Sequence, residues 1–304
     1  MFDDYSFALC LTHDVDRPFK TYQWLHEALR DRDLDALRRW KAGENPYWQF
    51  ETIRRLEADL DVRSSFYALQ TPRLRAGPAS RLTDPKRLLD AAGRYEFDDP
   101  DIGPMLRNLD ADGWEVGLHG SYESAVDPSR LRREKDLLEE MLGHEVGGCR
   151  QHYLRLDDPP IETWRAQRDA GLVYDASPGS SSTVGFDHGD RPFRPFDDDF
   201  LVFPLTAMEV ALPTDPDERW QTCERLLQEA DARGAVATVL WHPRYFAPEF
   251  PGYRETYRRL VERAQEMGAW VGPVGDAYAR LDPADCPGLE HGRLASRSRA
   301  PRTD

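Results

Sequence analysis

Short apolar runs alternate with helical stretches along most of the chain, and this alternation limits the possible folds more than any other feature. The runs FALCLTHDVD (7–16), SSFYAL (64–69), WEVGLHG (114–120), GGCRQHY (147–153), LVYDAS (172–177), FLVFPLTAM (200–208), AVATVLWHP (235–243) and WVGPVG (270–275) each read as a buried strand. Between them, 22–39, 45–62, 101–113, 128–143, 160–171, 216–233 and 252–267 space their apolar residues as helices do. Pro128 and Gly143 supply the start and stop signals of one of these helices. Strands separated by helices pair in parallel through crossovers, so the pattern predicts an α/β barrel of about eight strands.

The chain has 304 residues, 40% of them hydrophobic and 11% aromatic, enough for one large globular domain. That barrel domain is expected over 1–283, with 70–100 as an irregular surface insertion and 284–304 as a disordered tail. No window approaches the ~18–20 uninterrupted apolar residues of a membrane span. The N-terminus lacks a basic region and its apolar run is too short for a signal peptide, so a cytoplasmic location is expected. Cys10, Cys149, Cys223 and Cys286 show no paired spacing and read as buried free thiols. The formal net charge of −15 argues against nucleic acid or an anionic membrane as partner. Only four of the 40 basic residues are lysine, a bias that fits either salt adaptation or GC-rich codon usage.

The informative polar residues cluster at strand ends. Asp14 and Asp16, His119, Arg150 and His152, Asp175, and His242 each close a different expected strand. In a parallel barrel those ends converge on one face, where such folds place their active sites. Asp14 and Asp16 are two residues apart and point to one side of a regular strand; the competing role for either is a turn or helix cap. If Asp16 binds a cation, Asp14 beside it stays ionised and free to accept a proton. Glu123 follows His119 by one helical turn and could share its ion, or could be an ordinary surface residue. Mixed His and carboxylate ligands suit zinc or a similar divalent metal. His242 is either a buried structural histidine or an acid facing a leaving amine. Asp175 could orient His242 or Arg150, and Arg150 could hold Asp14 ionised.

In order and content these motifs resemble the polysaccharide deacetylase family, the NodB-homology group of carbohydrate esterases. The family's T-F-D-D-G appears as THDVD, its H-(S/T)-x-x-H as His119-Gly120-Ser121-Tyr122-Glu123, and its R-x-P-Y as Arg150-Gln151-His152-Tyr153. Its YDSS appears as YDAS and its L-x-H as LWH, and the likeness spans residues 6–282. The resemblance implies a distorted (β/α)7-type, TIM-like barrel and metal-dependent removal of an N-acetyl group from a saccharide or glycan precursor. It makes Asp14 the base, Asp16, His119 and Glu123 the ligands of a divalent metal such as zinc, and His242 the acid. Arg150 contacts the base and the region of Tyr153 contributes to the oxyanion pocket. Glu123 stands where the family has its second histidine, and His152 where it has proline. His13 and His152 are substitute ligands or packing residues. The aromatic- and Arg-rich loops 178–199 and 244–254 either stack on sugar rings and bind anionic groups or pack as ordinary loops. Two other readings fit the altered motifs: a metal-independent, allantoinase-like amidase acting on a small substrate, and a non-catalytic glycan-binding relative.

Overall fold

The alternation along β1 (Ala8–Val15) shows how the fold places its polar residues. All eight residues are buried, so both faces of the strand are covered. Ala8 and Cys10 join an inner cluster with Tyr67, Tyr174, Phe203 and Trp270, whereas Leu9 and Leu11 join the large cluster between strands and helices. Successive side chains on a strand point to opposite faces. Asp14 is therefore directed inward and His13 outward.

The computed structural model describes residues 4–30, 32, 34–71, 95–290 and 293–294. Most of the expected insertion, 72–94, lies outside the described residues, as do 295–304 of the expected tail. The remaining sheet strands are β2 (Ser65–Leu69), β3 (Glu115–Gly120), β4 (Gly148–Gln151), β5 (Tyr174–Asp175), β6 (Leu201–Val202), β7 (Leu205–Met208), β8 (Val236–Leu240) and β9 (Trp270–Gly272). They run in the order β6-β5-β4-β3-β2-β1-β8-β7, with β9 also paired to β1, and all of these pairings are parallel. The curled sheet and its surrounding helices form the distorted (β/α)7-type barrel that the motifs imply.

The helices are α1 (Tyr22–Arg30), α2 (Leu34–Lys41), α3 (Phe50–Asp59), α4 (Ile102–Ala111), α5 (Pro128–Leu142), α6 (Ile161–Asp169), α7 (Pro216–Arg233), α8 (Tyr253–Glu266) and α9 (Val274–Arg280). On α5, Asp127 accepts the Arg130 N–H and left-handed Gly143 (φ 86°) ends the helix. The stretch expected as one helix over 22–39 is two, α1 and α2, with Arg32 at φ 55° between them. Proline explains two further differences, because it cannot donate to a strand ladder. Pro204 separates β6 from β7, and Pro273 ends β9 before α9, a helix over part of the run expected as strand. Within the stretch expected as tail, Leu289–Glu290 pairs antiparallel with Arg293–Leu294 and Cys286 is buried. All four cysteines are free and buried.

Register delivers the strand ends to one level. Thr12 of β1 is level with Leu240 of β8, so Asp14 and His242 both lie two residues beyond a matched pair. His119 of β3 is level with Arg150 of β4.

Candidate active site

Asp14, Asp16, His119, His152 and His242 line one cavity of about 340 Å³, joined by Arg17, Arg244 and Tyr153. Asp14 is the residue most tightly held. The Arg150 guanidinium, itself fully buried, donates to Asp14 Oδ1 at 3.0 Å, to Thr12 Oγ1 at 2.6 Å and to the Ala176 carbonyl at 2.8 Å. Burial pushes the Asp14 carboxyl up, but Arg150, His119 and His242 outweigh it and hold the group below its ordinary value. Asp14 is thus a carboxylate at neutral pH.

The surroundings shift the three cavity histidines in opposite directions, two down and one up. His119 donates from Nδ1 to the Arg150 carbonyl at 2.9 Å, leaving Nε2 unprotonated 3.7 Å from Asp14 Oδ2. Burial lowers the pKa of His119, and burial together with His119 lowers that of His152 to about 3, so both rings are neutral. His242 is the opposite case: Nδ1 lies 2.7 Å from Glu209 Oε1 and Nε2 lies 3.9 Å from Asp16 Oδ2. Burial alone would lower its pKa, but the Glu209 and Asp16 carboxylates outweigh Arg244 and raise it. Environments that push titratable groups apart in this way separate an acid from a base.

Asp16 accepts from Arg244 Nη1 at 3.1 Å. Burial pushes its carboxyl up, and Arg244, His242, His152 and His119 together hold it well below the carboxylate range. Tyr153 occupies left-handed backbone (φ 60°, ψ 19°), and Leu154 after it has φ 54°. Such conformations cost non-glycine residues ~1–3 kcal/mol and persist where the surroundings enforce them. Here they leave the Tyr153 ring 52% exposed, stacked on His152 at 4.1 Å and edge-on to exposed Tyr122 at 6.0 Å.

Three expected roles are not met by this geometry. Asp175 reaches neither His242 nor Arg150: it is fully buried and accepts from Trp164, Gln167 and the backbone and hydroxyl of Ser177. The carboxylate that meets His242 is Glu209, whose one signal in the sequence is a lone acidic residue inside the apolar run TAMEVAL. Glu123 is not among the cavity residues, and Arg130 of α5 donates to it at 2.6 Å. His13 faces outward, with Nδ1 against the Trp241 carbonyl at 2.5 Å and Nε2 against Glu57 Oε1 at 2.9 Å.

A divalent metal does not fit the residues present. Asp16 is already bound by a guanidinium and Glu123 by another. Among the described residues, no group of three or more His, Cys, Asp or Glu is arranged to hold a metal ion. Asp14–Arg150 and Asp16–Arg244 already pair both cavity aspartates with a guanidinium, so a further double charge would be uncompensated in a buried site.

No protein-family model matches the sequence, and no curated protein matches it either. Solved structures do. A protein of Mycobacterium smegmatis assigned as a polysaccharide deacetylase superposes with a TM-score of 0.62 at 15% identity, covering 99% of this chain and 97% of that one. One of Pseudomonas aeruginosa with the same assignment gives 0.56 at 16% identity, covering 92% and 93%. A GH57-type branching enzyme of the archaeon Pyrococcus horikoshii gives 0.55 at 12% identity, covering 94% of this chain and 72% of that one. At these identities the likeness is one of fold, and the fold of this chain is that of the polysaccharide deacetylases.

Proposed function

We propose that the protein is an amide hydrolase that removes the N-acetyl group from a saccharide or glycan precursor. The observation that carries this reading is the pairing, in one cavity, of a carboxylate held by the Arg150 guanidinium with an imidazole held through Nδ1 by the Glu209 carboxylate, which raises its pKa. Amide hydrolysis needs both, because water must lose a proton to attack and the amine must gain one to leave. Asp14 and the lone pair of His119 Nε2 are neighbouring acceptors that would hold a water and take its proton. The hydroxide adds to the acetamide carbonyl, the C–N bond breaks, and His242 passes its Nε2 proton to the departing nitrogen. The products are acetate and a free amine. Glu209 keeps Nδ1 as the donor, which fixes the ring with Nε2 towards the cavity.

The exposed Tyr153 ring, braced by His152 and Tyr122, supports a sugar as the acyl carrier, since aromatic faces stack on the C–H faces of pyranose rings. Incubation with N-acetylglucosamine oligomers and measurement of free acetate tests the proposal. Acetate release that saturates with oligomer concentration is expected. No acetate from any N-acetylated saccharide rejects the reading.

A further inference from the structure

We propose that Arg244 is the resident cation of this site, taking the position on Asp16 that a divalent metal would otherwise hold and supplying the positive charge for the developing oxyanion. The mechanistic half rests on the hydrolase reading; the cation half rests on geometry alone. Arg244 follows β8 directly after His242-Pro243 and its side chain is four-fifths buried. Nη1 lies 3.1 Å from Asp16 Oδ1, while the other carboxylate oxygen faces His242 Nε2 at 3.9 Å. Both oxygens of the expected ligand are thus turned towards side chains of the chain itself, one to the Arg244 guanidinium and one to the His242 ring.

The charge balance points the same way. A metal site needs carboxylates without internal partners, so that the ion replaces water and protons rather than a fixed cation. Here a metal would have to displace the guanidinium, which stays charged at any ordinary pH and would be left in a cavity already lined by Arg17 and His242. The other expected anionic ligand, Glu123, is withdrawn to Arg130.

Arg244 also stands where a transition-state charge needs a partner. It lines the cavity beside the residues given the base and acid roles. A guanidinium carries five N–H donors, and Asp16 accepts from Nη1. Asp16 then serves as a positioning residue, holding the guanidinium in place rather than binding an ion. Preorganised donors of this kind accelerate acyl transfer because they need no rearrangement as charge develops.

The test is zinc binding by the intact protein, read apart from activity. Wild type, Asp16→Asn and, as a second probe should Asp16→Asn fold poorly, His119→Gln are incubated with excess zinc, desalted and assayed for metal per chain. The proposal expects no retained zinc, or zinc that is retained equally in the variants and so lies elsewhere. One zinc per wild-type chain that is lost in either folded variant overturns it. Activity adds the mechanistic arm: chelators leave wild-type acetate release unchanged, Arg244→Gln lowers kcat about 10²–10³-fold with little change in KM, and Arg244→Lys recovers part of the loss. Chelator-sensitive activity, or Arg244→Gln as fast as wild type, contradicts the proposal. If no variant and no wild type releases acetate while zinc stays absent, the hydrolase reading fails and the cation assignment stands.

Discussion

His242 Nδ1 lies 2.7 Å from Glu209 Oε1, and the same carboxylate accepts the His242 backbone N–H at 3.3 Å. Glu209 is fully buried, so this is a fixed contact rather than a surface ion pair. It sets both which nitrogen faces the cavity and how readily the ring keeps its proton.

Glu209→Gln therefore shifts the pH dependence of the reaction. A raised pKa keeps His242 protonated to higher pH, and its acid form is lost as pH rises through that value. Removing the negative charge lowers the value, so the alkaline limb of kcat/KM moves to lower pH. A pH–rate profile checks this, and an unmoved alkaline limb is the contrary result.

Arg150→Met strips Asp14 of its buried partner. Leaving a buried charge unpaired costs roughly 3–5 kcal/mol, which urea unfolding at neutral pH will show. The sign follows from the lowered Asp14 value: the pair contributes fully above the unfolded carboxyl value near ~3.9 and is lost as pH falls through the lower folded one. The gap between wild type and variant should accordingly narrow in acid.

Tyr153→Ala tests the sugar platform. An aromatic stacking contact is worth ~0.5–1.5 kcal/mol, or about twofold to tenfold in affinity. KM for an N-acetylated oligomer should rise by that factor with kcat nearly unchanged. A loss confined to kcat would place the residue in the chemistry instead.

Glu57→Gln probes the outward face of β1. Glu57 is fully buried and accepts from His13 at 2.9 Å, Tyr257 at 2.6 Å, Ser64 at 2.8 Å and Trp114 at 2.6 Å. Both nitrogens of His13 face oxygens, of the Trp241 carbonyl and of Glu57. Replacing a carboxylate oxygen by an amide NH2 leaves buried donors of this network unsatisfied and should cost about 1–3 kcal/mol in denaturant unfolding. Stability equal to wild type would show that the network is dispensable.

This network marks where local sequence stops being informative. The strand-helix alternation is written in apolar spacing, so the barrel and the strand-end positions of Asp14, His119, Arg150 and His242 are readable from it. Which partner meets each polar residue depends on contacts between distant segments. His13 finds Glu57 44 residues away, and His242 finds Glu209 33 residues away. Asp175 sits at the expected strand end yet serves Trp164, Gln167 and Ser177, because helix α6 packs over it. Glu123 has the helical offset from His119 that a shared ion would need, but Arg130, seven residues further on, binds it. Motif spacing placed these side chains near the right strand end without deciding where each one turns.

Whether Asp14 is the base of an acetyl-amide hydrolase is read from acetate release from N-acetylglucosamine oligomers by wild type and by folded Asp14→Asn. The rate should fall about 10²–10⁴-fold in the variant, the usual weight of a general base. Acetate release by Asp14→Asn at the wild-type rate would contradict it.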